Sequence, residues 1–289
     1  MPTLTVTAAD GATNAIEVTE ASGRDEVLFV VPAMGVDARY YAPLCDAFAA
    51  RGFTTAVTDL RGLGASSIRP RRGTDFGYRQ IVELDYPAYL SALRGHVGDR
   101  PIHLLGHSLG GQLATLHLAR QPDSLAGLIL VASCTVYWRN WGPWRGRMLY
   151  ALASGYALAA RTLGYFPGKR LGFGGTEAKT VMRDWAHKAR TGEYAPRGAT
   201  FDYEARLREV TCPILGLTIE GDNWAPPAAL RHLLDKMPSA DVTQRVVGPD
   251  PAHALDHFRW ARYPKVVTEA VEEWIDCVGQ KVNSERSVV

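Results

Sequence analysis

The sequence predicts an α/β protein in which a mostly parallel central sheet is flanked by helices and interrupted by an inserted helical cap. Three observations predict it. Apolar runs of strand length alternate with stretches of helical period up to about residue 132, and again from about residue 213. One of those runs, Ile102 to Leu105, leads through Gly106-His107-Ser108-Leu109-Gly110 into the alanine- and leucine-rich stretch Gln112 to Ala119. Between Ser133 and Pro213 about eighty residues break the strand rhythm, an interval too long for a structureless loop.

Each element has its own signal. Asp10-Gly11 is a turn between Thr3 to Val6 and Ala15 to Val18, predicting an antiparallel edge hairpin. Val27 to Val31 is apolar throughout, as in a strand covered on both faces. A helix is expected from about Ala38 to Arg51, closed by Gly52, then a strand from Thr54 to Asp59 and a glycine-rich turn to Ser66. Tyr78 to Val97 reads as helix bent near Pro87. After the Ser108 turn and its helix comes a buried strand, Leu128 to Ala132. This alternation predicts parallel pairing with right-handed crossovers. The interrupting segment holds two helical stretches, Arg145 to Leu163 and Glu177 to Ala189, together with Trp138, Trp141, Trp144 and Trp185. A strand (Pro213 to Ile219), a helix (Pro227 to Met237), a strand (Val242 to Val247) and a last helix (about Tyr263 to Cys277) complete the sheet. Residues 1–135 and 210–289 are expected to form the α/β core, and 136–209 the cap.

Bulk properties narrow the function. Lys and Arg number 32 against 30 Asp and Glu, a net charge of +2, and the densest basic stretch is only Arg69-Pro70-Arg71-Arg72. Nucleic acid is therefore not an expected partner. Cys45, Cys134, Cys212 and Cys277 lie far apart with no paired spacing, and read as reduced structural thiols. The stretch after Met1 has neither a basic nor a long apolar region, so no secretory signal and a cytoplasmic location are expected. No run of about 18 apolar residues occurs, so no membrane span is expected.

The Ser108 pentapeptide carries the chemistry. A serine at the apex of so sharp a turn sits in strained backbone, and its neighbours two residues away must lack bulk. Gly106 and Gly110 meet that need. The turn lifts Oγ above the sheet edge and aims a helix N-terminus at it, where backbone N–H groups can hold an oxyanion. A serine hydroxyl needs a base, and the base needs an orienting acid. Such groups gather at the carboxyl ends of strands. Asp222, in Gly221-Asp222-Asn223-Trp224-Ala225-Pro226-Pro227, is preferred to Glu220 because one further residue brings the carboxylate above the edge. Asp59 is assigned instead to the glycine turn, held by backbone hydrogen bonds. His253 follows the last strand by a short loop and is the expected base. His257, one turn on, is placed near the start of the last helix, packing or capping. The order Ser108, Asp222, His253 is serine, acid, histidine. A His253/His257 metal site lacks the glutamate of the zinc motif, and no metal or cofactor is expected.

These residues resemble the α/β-hydrolase superfamily over nearly the whole chain, in its serine-hydrolase (esterase- and lipase-like) branch of bacterial hydrolases with a short helical cap. The resemblance rests on Gly106 to Gly110, on Asp59-Leu60-Arg61-Gly62-Leu63-Gly64-Ala65-Ser66, on Gly221 to Pro227, and on the histidine after the last strand. It implies that Pro32-Ala33-Met34-Gly35 stands where many relatives have His-Gly. The backbone N–H of Met34 would then join that of Leu109 in the oxyanion hole. The departure is that Pro32 has no N–H and no histidine is in the loop. Dehalogenase and epoxide-hydrolase relatives carry aspartate at the turn, which this chain does not.

The expected activity is hydrolysis of a carboxylic ester of a small or medium apolar substrate through an acyl-enzyme on Ser108. Alternatives with the same triad are acyl transfer or thioester cleavage; a different class is a non-catalytic ligand-binding protein of the same fold. The candidate pocket residues are His107, Trp138, Leu152, Tyr156 and Trp224. Met148, Leu149, Leu152, Tyr156, Ala159 and Leu163 recur at helical spacing on one face of the first cap helix. The expected partner is a small ester or acyl substrate. The oligomeric state stays open, a homodimer included.

Overall fold

The computed structural model of the chain describes residues 2–286. Ten strands run in order: β1 (Thr3–Thr7), β2 (Thr13–Thr19), β3 (Val27–Val31), β4 (Thr54–Thr58), β5 (Ile102–His107), β6 (Gly127–Val131), β7 (Tyr165–Pro167), β8 (Thr176–Ala178), β9 (Ile214–Ile219) and β10 (Val242–Val247). The helices are α1 (Ala42–Ala49), α2 (Tyr78–Gln80), α3 (Tyr86–Val97), α4 (Leu109–Arg120), α5 (Pro143–Leu163), α6 (Gly168–Leu171), α7 (Lys179–Thr191), α8 (Tyr203–Leu207), α9 (Pro227–Leu234) and α10 (Lys265–Arg286).

Eight strands form the main sheet in the order β1-β2-β4-β3-β5-β6-β9-β10. The hairpin joins β4 antiparallel, and every other pairing from β4 to β10 is parallel. The chain proceeds outward from β3 to β4 on one side and from β5 to β6 on the other. The direction of winding therefore reverses between β3 and β5, which is where open α/β sheets place their sites. Strands β3 to β6 and β9 are buried along their whole length, as expected of a parallel sheet covered on both faces. At one edge β2 alternates, burying Asn14, Ile16 and Val18.

Two local departures have physical causes. The expected helix from Tyr78 to Val97 is interrupted by a π-helical turn, Ile81–Asp85. Pro87 has no N–H for the Glu83 carbonyl, and the Tyr86 N–H reaches back to the Ile81 carbonyl instead. The expected helix from Glu177 begins later, at Lys179, because Thr176–Ala178 pairs with Tyr165–Pro167 as a small antiparallel sheet. The segment between β6 and β9 is thus helical with a two-stranded ribbon, its long helix α5 packed on α7. The last helix starts at Lys265 rather than near Tyr263 and runs to Arg286. No helix among the described residues is long and apolar enough to cross a membrane.

Candidate active site

Ser108 follows β5 directly and caps α4 with φ 51° and ψ −114°. That left-handed backbone is rare for a side chain larger than glycine. Its neighbours hold it there. A Cβ on Gly106 would collide with the backbone of Gly110 and Gly111, and one on Gly110 with the carbonyls of Val31 and Pro32. Ser133 Oγ donates to the Ser108 carbonyl at 2.7 Å, and the Ser108 N–H donates to the Val131 carbonyl at 3.2 Å. The glycine turn after β4 is fixed as the sequence suggests: Asp59 accepts from the N–H groups of Ala38 (2.7 Å) and Ala65 (2.8 Å).

The histidine that meets Ser108 is His257, and the assignment of His253 is corrected. His257 Nε2 lies 3.1 Å from Ser108 Oγ, and its Nδ1 lies 2.8 Å from Asp222 Oδ2. His253 turns away. Asp250 Oδ1 accepts from the backbone N–H groups of Ala252 (2.8 Å) and His253 (2.9 Å), forming a local turn. The His253 ring then stacks on Tyr263, with centroids 3.7 Å apart. His257 lies well before the last helix, in the returning half of this loop. Trp260 Nε1 donates to its carbonyl at 3.0 Å. Asp222 divides its oxygens: Oδ1 accepts from the Trp224 N–H at 2.7 Å, and Oδ2 faces the imidazole. Glu220 is not in this chain of contacts.

The Pro32 to Gly35 loop, the expected oxyanion loop, has a support that sequence reasoning missed. The Tyr41 hydroxyl accepts from the Ala33 N–H at 3.0 Å and shares a hydrogen bond of 2.6 Å with His107 Nδ1. A histidine beside the nucleophile thus steadies, through a tyrosine, the loop that has no histidine of its own. Burial, and then the nearby His257, push the His107 imidazole well below its usual value, so it stays neutral. With the Ala33 N–H taken, the next one, on Met34, has no partner among the described residues. The Leu109 N–H opens α4 and has no intrahelical acceptor. Met34 and Leu109 both line the cavity that reaches Ser108.

That cavity, of about 360 Å³, lies between the strand ends and the inserted segment, within the usual range for small-molecule sites. Leu152, Tyr156 and Trp224 line it as expected. His107 and Trp138 do not. His107 is wholly buried behind the turn, and Trp138 packs edge-on against Tyr150. Of the proposed stripe, Met148, Leu149, Leu152 and Tyr156 reach the cavity, whereas Ala159 and Leu163 lie beyond it. Trp141, Phe173 and Trp185 were missed as lining residues. Phe173 stacks on Trp224 at 6.0 Å, joining segment to core. Cys134, expected to be structural, also faces the cavity. Burial raises its thiol above the ordinary range, which keeps it protonated. Among the described residues no cluster of His, Cys, Asp or Glu suited to a metal ion occurs.

Nucleophile turn, winding reversal and an inserted segment over the strand ends define an α/β-hydrolase. The chain belongs to the serine aminopeptidase S33 family, whose model matches residues 23–255. It is 26% identical to a proline iminopeptidase of Lactobacillus delbrueckii subsp. bulgaricus over 255 residues, 77% of this chain and 82% of that one. Its fold is similar to that of a thermophilic esterase from Thermogutta terrifontis (TM-score 0.57, 20% identity, 96% of this chain and 98% of that chain). It is also similar to the esterase of Exiguobacterium antarcticum (TM-score 0.63, 14% identity, 94% and 99%). The protein is a hydrolase with esterase- and peptidase-like relatives.

Proposed function

We propose that this hydrolase cleaves carboxylic esters with an apolar acyl group of small or medium size. The observation that carries the reading is the contact chain Asp222–His257–Ser108 at the wall of an apolar cavity. In this reading Ser108 Oγ attacks the ester carbonyl and His257 takes its proton. Asp222 holds the imidazole with Nδ1–H inward, so that Nε2 is the acceptor. The tetrahedral oxyanion is received by the N–H groups of Leu109 and Met34. His257 then gives its proton to the departing alcohol, and water, activated by the same imidazole, releases the acid. The inserted segment acts as a cap that excludes water from the acyl group.

The peptidase-like relative makes aminopeptidase activity the competing reading. An aminopeptidase must hold a free N-terminal ammonium, which calls for a carboxylate or its equivalent in the pocket. The described lining residues include no Asp or Glu, and their formally charged side chain is Arg145, a cation. That favours a neutral acyl group. The test compares p-nitrophenyl esters of increasing chain length with proline p-nitroanilide on untreated protein, and labels a separate sample with a fluorophosphonate probe. Labelling at Ser108 with turnover of the esters is expected. Turnover of the anilide in preference to every ester would assign the protein to the peptidases, and absence of labelling would remove it from the serine hydrolases.

A further inference from the structure

Helix α5 has two apolar faces, and only one is covered. Gly146, Ala153 and Ala160 are buried on its inner side. On the outer side Trp144, Met148, Leu152 and Leu158 are 77%, 51%, 42% and 61% exposed. Spacings of four, four and six, with the small Ala151 and Gly155 between, place them in one stripe. Solvated helix faces are ordinarily polar, so an apolar stripe of this size marks an interaction surface. The stripe is edged by Arg145 on one flank and by Arg147 and Arg161 on the other.

The charge around it is one-sided. Residues 124–176 contain six basic residues, Arg139, Arg145, Arg147, Arg161, Lys169 and Arg170, and no Asp or Glu. All six are exposed, and none makes a salt bridge among the described residues. The rest of the chain therefore carries the acid excess that brings the net charge down to +2. An apolar stripe flanked by arginines with no acidic residue nearby is the pattern of a helix lying in a lipid interface. The apolar side chains enter the acyl boundary while the arginines reach back to phosphate. A second copy of the chain fits poorly. A twofold contact would set α5 against α5 and bring like charges together without a counter-charge.

We propose that the outer face of α5 docks on an anionic phospholipid surface. The helix lies on that surface and does not cross it. Met148 and Leu152 belong both to the exposed stripe and to the cavity wall. The docked face is thus continuous with the cavity mouth, and an acyl chain can leave the interface for Ser108 without meeting bulk water. This last step rests on the proposed esterase activity; the docking does not.

The experiment is co-sedimentation of the intact protein with vesicles of phosphatidylcholine, alone or mixed equally with phosphatidylglycerol. Binding to the mixed vesicles only, weakening as salt is raised, is expected. Arg147→Gln with Arg161→Gln should weaken it about fivefold for each charge removed. Trp144→Ser with Leu158→Ser should abolish it, yet leave kcat/KM for a water-soluble short-chain ester unchanged, because neither residue lines the cavity. If the apolar pair fails to fold, the exposed arginine pair still carries the test. The proposal is overturned if the intact protein stays in solution with anionic vesicles at low salt. It is equally overturned if the serine pair binds as well as the original, or if light scattering finds a dimer that this pair dissolves. Vesicle binding without turnover of any ester would sink the esterase reading alone.

Discussion

At Gly106, Gly110 and Gly111 an added methyl group would lie closer than 3.0 Å to atoms that cannot move aside, whereas at Gly155, on helix α5, it would meet nothing within 4 Å. The first three glycines surround Ser108; the fourth lies in the segment that overhangs it. Around the nucleophile, backbone is packed on backbone, and the strained φ of Ser108 is held by its surroundings. In the overhanging helix, large apolar side chains face solvent. The difference shows how the work is divided. In the proposed mechanism the turn fixes where the reacting atoms are, and the overhanging segment selects what reaches them.

The largest effects are expected at the turn. Ser108→Ala should lower kcat by about four orders of magnitude or more with unchanged circular dichroism, and His257→Ala should match it. His253→Ala should stay within about threefold of wild type, the half-buried loop histidine having no contact with Ser108 or Asp222. A dead His253 variant beside an active His257 variant would reverse the assignment. Next come the glycines. Gly106→Ala should cost about 3 kcal/mol in denaturant unfolding through forced backbone movement, while Gly155→Ala should be neutral or stabilise by about 0.5 kcal/mol, as an open helical site allows. Equal effects at the two positions would erase the contrast.

The overhanging segment should respond in selectivity rather than in rate. Leu152→Ala with Tyr156→Ala should change kcat/KM for longer acyl chains about tenfold relative to acetate. An equal fall for every chain length would make these residues structural.

The smallest effect concerns pH. Glu177 is buried beside Gly174 and Gly175, which pack on Gly35, and accepts the Gly175 N–H at 2.9 Å. Burial pushes its carboxyl up to about 7 from an unfolded value of 4.5. The folded state therefore holds a proton that the unfolded chain releases between those values, and its stabilising effect fades as pH rises through that window. Glu177→Gln, which keeps the acceptor without the charge, should melt progressively higher than the parent from pH 5 to pH 7. A constant offset would mean that Glu177 does not titrate there.

What could be read in the sequence was what is local. The Ser108 turn is specified by glycines two residues either side, and β3, β5, β6 and β9 by runs whose apolar character needs no partner to interpret. Asp222 was legible because a strand end fixes its height above the sheet. The base was not. Which of two histidines four residues apart turns inward depends on Asp250 gathering two N–H groups and on Tyr263 stacking on His253, contacts between side chains with no periodic signature. The cavity residues were half legible for a similar reason. Aromatic density announced a pocket, but the side each ring faces is set by how α5 lies on α7, which is why Phe173 and Trp185 were missed while Trp138 was included. The Tyr41 link from His107 to the oxyanion loop joins residues 66 apart, with nothing in the pattern between them to suggest it.

The contact between Ser108 and His257 spans 149 residues of chain, and synthesis proceeds from the N-terminus. At about 5–20 residues per second, a growing chain carries its serine for on the order of ten seconds before the histidine has even been added. Through that interval the turn at Ser108 can form, but the hydroxyl has no proton acceptor. In the proposed mechanism the last loop is the one that arms the protein, so an unfinished chain is born inert.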